Sequence, residues 1–265
     1  MTALTPSLLA AILYLGGSFY QLRCMGKRLA VNINLLRAIG VVALLAHAGS
    51  LYVQLFTADG LSLGLFNTAS LVAWLVIAIP LASSFKAPVT SLLLGLFPLA
   101  LITGLLAWLF PSHGTTLVPA EGILVVHVLL SILAYGILTI AAFQASLLAI
   151  QNYQLKHKHP TRFIRTFPPL QTMERLLFQF LLCGEFLLTL ALISGFLFLD
   201  NMFAQGVVHK TFLSCVAWVV FGILLWGRYF RGWRGSNAIR WTLAGFLLLA
   251  LAYFGSKLVR EFLLT

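Results

Sequence analysis

Eight stretches of this sequence are each long and apolar enough to cross the ~30 Å hydrocarbon core of a bilayer, which takes about 20 residues of helix. They run Pro6–Arg23, Leu35–Phe56, Leu63–Ser83, Pro88–Phe110, Gly122–Tyr153, Leu177–Leu199, Thr211–Tyr229 and Ile239–Leu258. A backbone inside hydrocarbon has to satisfy its own N–H and C=O groups, so stretches of this kind are helices. The links between them leave no room for a soluble domain. The expected fold is all-α: a polytopic integral membrane bundle of eight transmembrane helices forming a single domain over residues 1–265. The short links Thr57–Ser62 and Ser84–Ala87 make the second, third and fourth spans antiparallel neighbours.

Composition sharpens what this excludes. Of 265 residues, 61% are hydrophobic and 9% charged, against roughly 25% charged in ordinary soluble domains. Soluble enzymes and nucleic-acid binders are ruled out, and the lipid bilayer is the first partner. The net charge of +11 then calls for a topological reading, because Lys and Arg gather on the cytoplasmic side of membrane proteins. The first span has no cation before it and is followed by Arg23, Lys27, Arg28 and Arg37. That is the reverse of a secretory signal peptide, and it places the N-terminus outside. Alternation then puts those four inside, with Lys86, Lys156, Lys158, Arg162, Arg165, Arg175, Arg228, Arg231, Arg234 and Arg240. Only Lys210, Lys257 and Arg260 fall outside. Both termini are therefore expected outside, in a multi-pass protein of the bacterial inner membrane.

Polar side chains within or beside apolar helices are the candidates for chemistry, since burying them in hydrocarbon costs ~2.5–3.5 kcal/mol or more. His127 opens the fifth span and His209 precedes the seventh. Both of those helices run from outside to inside, so both imidazoles belong to the outer face. If the two helices are neighbours, the histidines converge on one ligand. Haem iron suits them, and neutral imidazole also binds zinc or copper, although two histidines are too few for a closed zinc site. The alternative is a pair of interfacial histidines bonded to headgroups or backbone. His47, past the middle of the second span, either hydrogen-bonds across to another helix or ligates a cofactor. Glu185, inside the sixth span, is open to three readings: a proton or ion relay, a protonated acid within the bundle, or a pair with an inner-end cation such as Arg228. His157 and His159 lie in a cation-rich link and read as solvated, and His113 is isolated. Cys24, Cys183 and Cys215 make neither a disulfide framework nor a CxxC motif and read as small packing residues. Pro80 and Pro98 are expected to kink their helices. Phosphate-cradling glycine loops, nucleophile elbows and paired carboxylates are absent from the sequence.

A set of ordered stretches carries a family resemblance. They are Val126-His-Val-Leu-Leu-Ser-Ile-Leu-Ala-Tyr, Pro168-Pro-Leu-Gln-Thr-Met-Glu-Arg-Leu, Leu187-Leu-Thr-Leu-Ala-Leu-Ile-Ser-Gly, His209-Lys-Thr-Phe-Leu-Ser-Cys-Val-Ala-Trp, Gly232-Trp-Arg-Gly and Tyr253-Phe-Gly-Ser. Looser matches are Ala46-His-Ala and Leu65-Phe-Asn-Thr-Ala-Ser-Leu-Val-Ala-Trp. Together they resemble the cytochrome c assembly protein family, the CcsA-like and CcmC-like membrane proteins that handle haem, and within it the YpjD and HemX-like branch. In that family an external tryptophan-rich loop presents haem, and external histidines flanking the loop ligate its iron. The resemblance makes His127 the counterpart of the first such histidine. It also implies that Lys257 and Arg260 either pair with haem propionates or snorkel to the interface. The sequence departs from the family's pattern in places. The stretch 198–210, where the tryptophan-rich segment is expected, contains no tryptophan, so His209 matches by position alone. A transmembrane histidine of the family is replaced by the Trp226-Gly227-Arg228 region, and its last external histidine has no counterpart after Tyr253.

The leading functional expectation is a non-enzymatic haem-handling protein related to cytochrome c assembly, with cofactor contacts from His127, His209, His47, Lys257 and Arg260. His127 and His209 would be the iron ligands. A small-solute or ion transporter using Glu185 and His47 is the second expectation. An assembly or regulatory partner of another membrane complex, without haem chemistry, is the third.

Overall fold

In the computed structural model, the described residues are 4–27, 29–57, 60–111, 116–117, 122–157, 167–198 and 208–255. Each of the eight apolar stretches forms a helix long and apolar enough to span a membrane. These are α1 (Leu4–Lys27), α2 (Ile33–Leu55), α3 (Leu65–Ser83), α4 (Leu93–Leu109, entered through a 3-10 turn at Thr90–Leu92), α5 (Gly122–Lys156), α6 (Leu170–Phe198), α7 (Val208–Arg231) and α8 (Ser236–Ala250, continued by a π-helical turn at Leu251–Gly255). The helix α6 starts at Leu170, well before the expected Leu177. Its polar first turns read as link by hydropathy, but Pro169 offers its carbonyl to the N–H groups of Thr172 and Met173, and proline is well suited to a helix start. Pro80 and Pro98 lie inside α3 and α4. Three short strands, β1 (Phe56–Thr57), β2 (Gly60–Ser62) and β3 (Thr116–Leu117), pair antiparallel in the order β1-β2-β3.

The chain divides into two compact units, Met1–Pro119 with His157–Pro168, and Ala120–Lys156 with Pro169–Thr265. In the first unit α1 packs on α2, α2 on α3, α3 on α4 and α4 back on α1. In the second, α5, α6, α7 and α8 close a ring of neighbours in the same way. Each ring is a four-helix arrangement.

Polar side chains fix the register inside the first unit. Asn32 caps α2, its Oδ1 accepting from the N–H groups of Asn34 and Leu35 at 3.1 Å each. At that end of α2 the Arg37 guanidinium donates to Ser84 Oγ at 3.0 Å and to the Ser84 carbonyl. Further along, Trp74 Nε1 donates to the Leu44 carbonyl at 2.9 Å. Gln21 Nε2 reaches from α1 to the Thr90 carbonyl at 3.1 Å. The second unit follows suit: Gln144 Nε2 on α5 donates to the Met173 carbonyl of α6 at 2.9 Å.

Small residues set how closely the helices approach, as expected where lipid removes the hydrophobic drive between them. A Cβ on Gly17 would stand 2.7 Å from Phe97 Cε2, one on Gly184 2.7 Å from the Leu138 side chain, and one on Gly245 2.7 Å from Phe221 Cε1. Cys24 is buried and Cys183 exposed, and both are free thiols.

Adjacent glycines give a controlled test of this packing. Gly16 faces open space, whereas Gly17 faces the fully buried Phe97 ring. Gly17→Ala should cost about 1–3 kcal/mol through overpacking. Gly16→Ala should be neutral or gain roughly 0.5–1 kcal/mol from helix propensity. Thermal unfolding of the two variants in one detergent checks the order, and equal melting temperatures would remove the close-packing argument.

Candidate functional site

Two histidines on the spanning helices differ in what their ring nitrogens meet. His47, on α2, is 2% exposed. Its Nδ1 lies 3.2 Å from the Tyr14 hydroxyl of α1, and its Nε2 lies 2.8 Å from the Ser70 hydroxyl of α3. A neutral imidazole has one donor and one acceptor nitrogen, and a hydroxyl can serve either. Both nitrogens are thus taken by protein partners. Tyr14 is further held between the His47 and Phe97 rings, with centroids 5.8 and 5.4 Å away. Beside His47, a small cleft edged by Ser7, Ser50 and Gly104 has room for about one water. The structure places His47 as a three-helix tie, which is the first of its two sequence readings.

His127 is arranged otherwise. It sits near the start of α5, half-buried, with Nδ1 3.0 Å from Ser194 Oγ of α6. The Ser194 hydroxyl donates to the Ala191 carbonyl at 2.9 Å, which leaves its oxygen to accept from the imidazole. This network assigns the ring proton to Nδ1. The imidazole also meets the Ala191 backbone, and with the ring proton on Nδ1 the lone pair stays on Nε2. Fixing one ring nitrogen in this way orients the other toward a metal in many sites.

His209 is the second residue of α7 and is exposed. The helices α5 and α7 are not packed directly against one another. Each lies on α6 and on α8, so they stand diagonally in the ring. The expected convergence through neighbouring helices therefore does not apply. Both histidines do share one end of the unit. The pairs Thr189–Trp218 and Glu174–Arg228 run α6 and α7 antiparallel, which brings the first turn of α7 to the last turns of α6, where Ser194 lies. Lys257 and Arg260 fall outside the described residues.

At the opposite end the structure shows a constellation that charge patterning missed. Arg228 Nη1 pairs with Glu174 Oε1 at 3.4 Å, donates to the Trp233 carbonyl at 3.2 Å, and the guanidinium lies 4.5 Å over the Phe178 ring. Glu174 Oε1 also accepts the Gly235 N–H at 3.3 Å. Arg228 is therefore Glu174's partner and not Glu185's. The connecting turn reverses through Gly232 and Gly235, at φ +66° and +54°. It lays the Trp233 ring where a Cβ on Gly227 would stand 2.5 Å away. The stretch Arg228 to Gly235, whose arginines count in the sequence among the inside cations, is a latch joining α6, α7 and α8. Among the described residues no cluster of three or more His, Cys, Asp or Glu side chains could hold a metal ion.

Comparison with known proteins gives a consistent picture. The family described as cytochrome C assembly protein matches residues 35–264. The inner membrane protein YpjD of Escherichia coli K12 is 37% identical over 223 residues, covering 83% of this chain and 84% of that protein. An uncharacterised 28.8 kDa protein of Azospirillum brasilense is 36% identical over 140 residues, 52% of each chain. Protein HemX of Brevibacillus brevis is 21% identical over 147 residues, covering 55% of this chain and 54% of its own. No solved structure matches.

The two polar constellations should differ in strength. Tyr14→Phe removes one neutral hydrogen bond between helices, worth about 0.6 kcal/mol and at most about 1.7. Glu174→Ala leaves the Arg228 guanidinium and the Gly235 N–H unanswered and should cost about 1–3 kcal/mol. Reversible unfolding in mixed micelles ranks the pair, and a greater loss for Tyr14→Phe would contradict the latch.

Proposed function

This chain belongs to the cytochrome c assembly protein family, and from that premise we propose that it is a non-enzymatic haem-handling protein of the bacterial inner membrane, with His127 as an iron ligand. The YpjD relative is named as an inner membrane protein, and the eight membrane-spanning helices suit the same multi-pass placement. One observation supports the ligand role: His127 Nδ1 is tied to Ser194, an arrangement that leaves the Nε2 lone pair for a metal.

Haem, when bound, would supply an iron that takes imidazole nitrogen as a ligand. The chain's own residues do the rest. Ser194, anchored on Ala191, fixes the imidazole's tautomer and heading. Ser131 Oγ donates to the His127 carbonyl at 2.8 Å and tightens that turn of α5. His209 is the second candidate ligand, at the same end of the unit. Lys257 and Arg260 are the proposed partners for propionates. The charge asymmetry of the links supports an outer-side placement of the His127 end. His47 is left out of this role, because both of its nitrogens serve the helices around it.

Protein purified from cells with full haem supply should show a Soret band. His127→Ala should abolish or shift it, His209→Ala should shift it, and Ser194→Ala should weaken haem retention roughly 10–100-fold, as loss of an orienting partner commonly does. Purified protein that stays spectrally silent after haem reconstitution would sink the proposal.

A further inference from the structure

The described residues include two carboxylates on α6, eleven residues apart. Eleven residues are about three helical turns, so Glu174 and Glu185 lie on nearly the same face, the one turned to α7. Glu174 is answered by Arg228 and the Gly235 N–H. Glu185 has no such answer. It is 9% exposed, and its Oε2 is buried without a hydrogen-bond partner. Its Oε1 lies against α7 where Gly222 stands: a Cβ there would be 3.6 Å away.

The titratable groups around Glu185 do not compensate it. On α6, Cys183 is exposed. On α7, Cys215 is two turns from Gly222, and Arg228 is held at the helix end by Glu174 and Phe178. On α5, the Tyr135 ring is packed among Phe246, Tyr253 and Phe254, with centroids 5.4–5.9 Å away. No described residue makes an ion pair with the Glu185 carboxyl. A bare carboxylate in the hydrocarbon zone is costly, and such groups usually mark proton or ion paths. The polar atoms within reach are too few for a metal cation, which takes six or more oxygens in the case of calcium. One proton is sufficient, since it turns the carboxylate into a neutral acid.

We propose that Glu185 is an intramembrane proton-binding site, taking up and releasing one proton in the seam between α6 and α7. The proton comes from water and returns to it; no electron or other group is transferred. The neighbouring polar groups are spent elsewhere: Trp218 donates its indole N–H to Thr189 Oγ1 at 2.8 Å, and the Thr189 hydroxyl donates at 2.8 Å to the backbone carbonyl of Glu185, so neither reaches the carboxyl. The open Cα of Gly222 lets the carboxyl approach the α7 backbone. This site is independent of the haem reading, and its test needs no haem.

Infrared spectra of the full chain in lipid vesicles decide the matter. The carbonyl stretch of a protonated carboxylic acid should be present at low pH, shift in D2O and fade as the pH is raised. One component of that band should be missing in Glu185→Gln and retained in Glu174→Gln. Dicyclohexylcarbodiimide, which adds across protonated carboxyls in apolar surroundings, should label Glu185 of the unaltered chain, mapped by mass spectrometry, and label it less as pH rises. That second measurement keeps the test sound should the glutamine variant fail to fold. Superimposable acid-region spectra for the unaltered chain and a folded Glu185→Gln would overturn the proposal. So would a Glu185 band unmoved by pH, or one lost on adding sodium at constant pH.

Discussion

Everything in this molecule follows from the absence of water in the hydrocarbon core. Helices close their own backbone hydrogen bonds, so eight apolar stretches become eight helices. Their polar side chains have no such built-in partner and must find one on a neighbouring helix. Arg37 with Ser84, His47 with Tyr14 and Ser70, Gln21 with Thr90, Gln144 with Met173 and Trp218 with Thr189 are the solutions found. Apolar contact between helices in lipid is weakly directional, so these pairs are what single out one register. Each costs a polar side chain in an apolar segment and returns a fixed antiparallel alignment.

The same constraint explains the glycines. Where lipid competes equally for apolar surface, helices gain by close approach, and close approach needs a missing side chain. Gly17 admits Phe97, Gly184 admits Leu138, and Gly245 admits Phe221. Gly232 and Gly235 work differently: their positive φ values let a short turn reverse and send Trp233 back over Gly227. Glu174 can then reach both the end of α7 and the entry to α8. A latch at one end of the second unit leaves the other end, with His127 and Ser194, to be built by packing of α5 on α6.

The spans were legible in the sequence because hydropathy over twenty residues is a summed signal, insensitive to any one side chain. The ends were less so. Gln171, Thr172, Glu174 and Arg175 read as link, yet they form the first turns of α6, because a helix extends past hydrocarbon wherever proline and a polar partner support its start. His127 and His47 were both visible as polar residues in apolar helices. What separated them was not, since Tyr14 is 33 residues from His47 and Ser194 is 67 from His127. A serine in an apolar helix carries no sign of which face meets an imidazole. Ser194, Glu174 and Trp233 all lie within the ordered stretches that resemble the family, so that resemblance marked their neighbourhoods without revealing their contacts.

Chemical type alone therefore decides little here. The imidazoles of His47 and His127 are the same group, and one is spent on structure because hydroxyls from two other helices meet its two nitrogens, whereas the other is held from α6 alone, by Ser194 and the Ala191 backbone. The carboxyls of Glu174 and Glu185 share a helix face and part for the same reason: a cation reaches the first at the helix end, and none reaches the second farther along. In each pair the number of partners supplied by the neighbouring helices separates a group that holds the fold from one with bonding capacity left over. That leftover capacity is costly in hydrocarbon. A membrane protein that keeps it at two separate positions in one four-helix unit, an imidazole held from α6 alone near one end and an unanswered carboxyl in the seam beside α7, has a local chemistry that packing does not require.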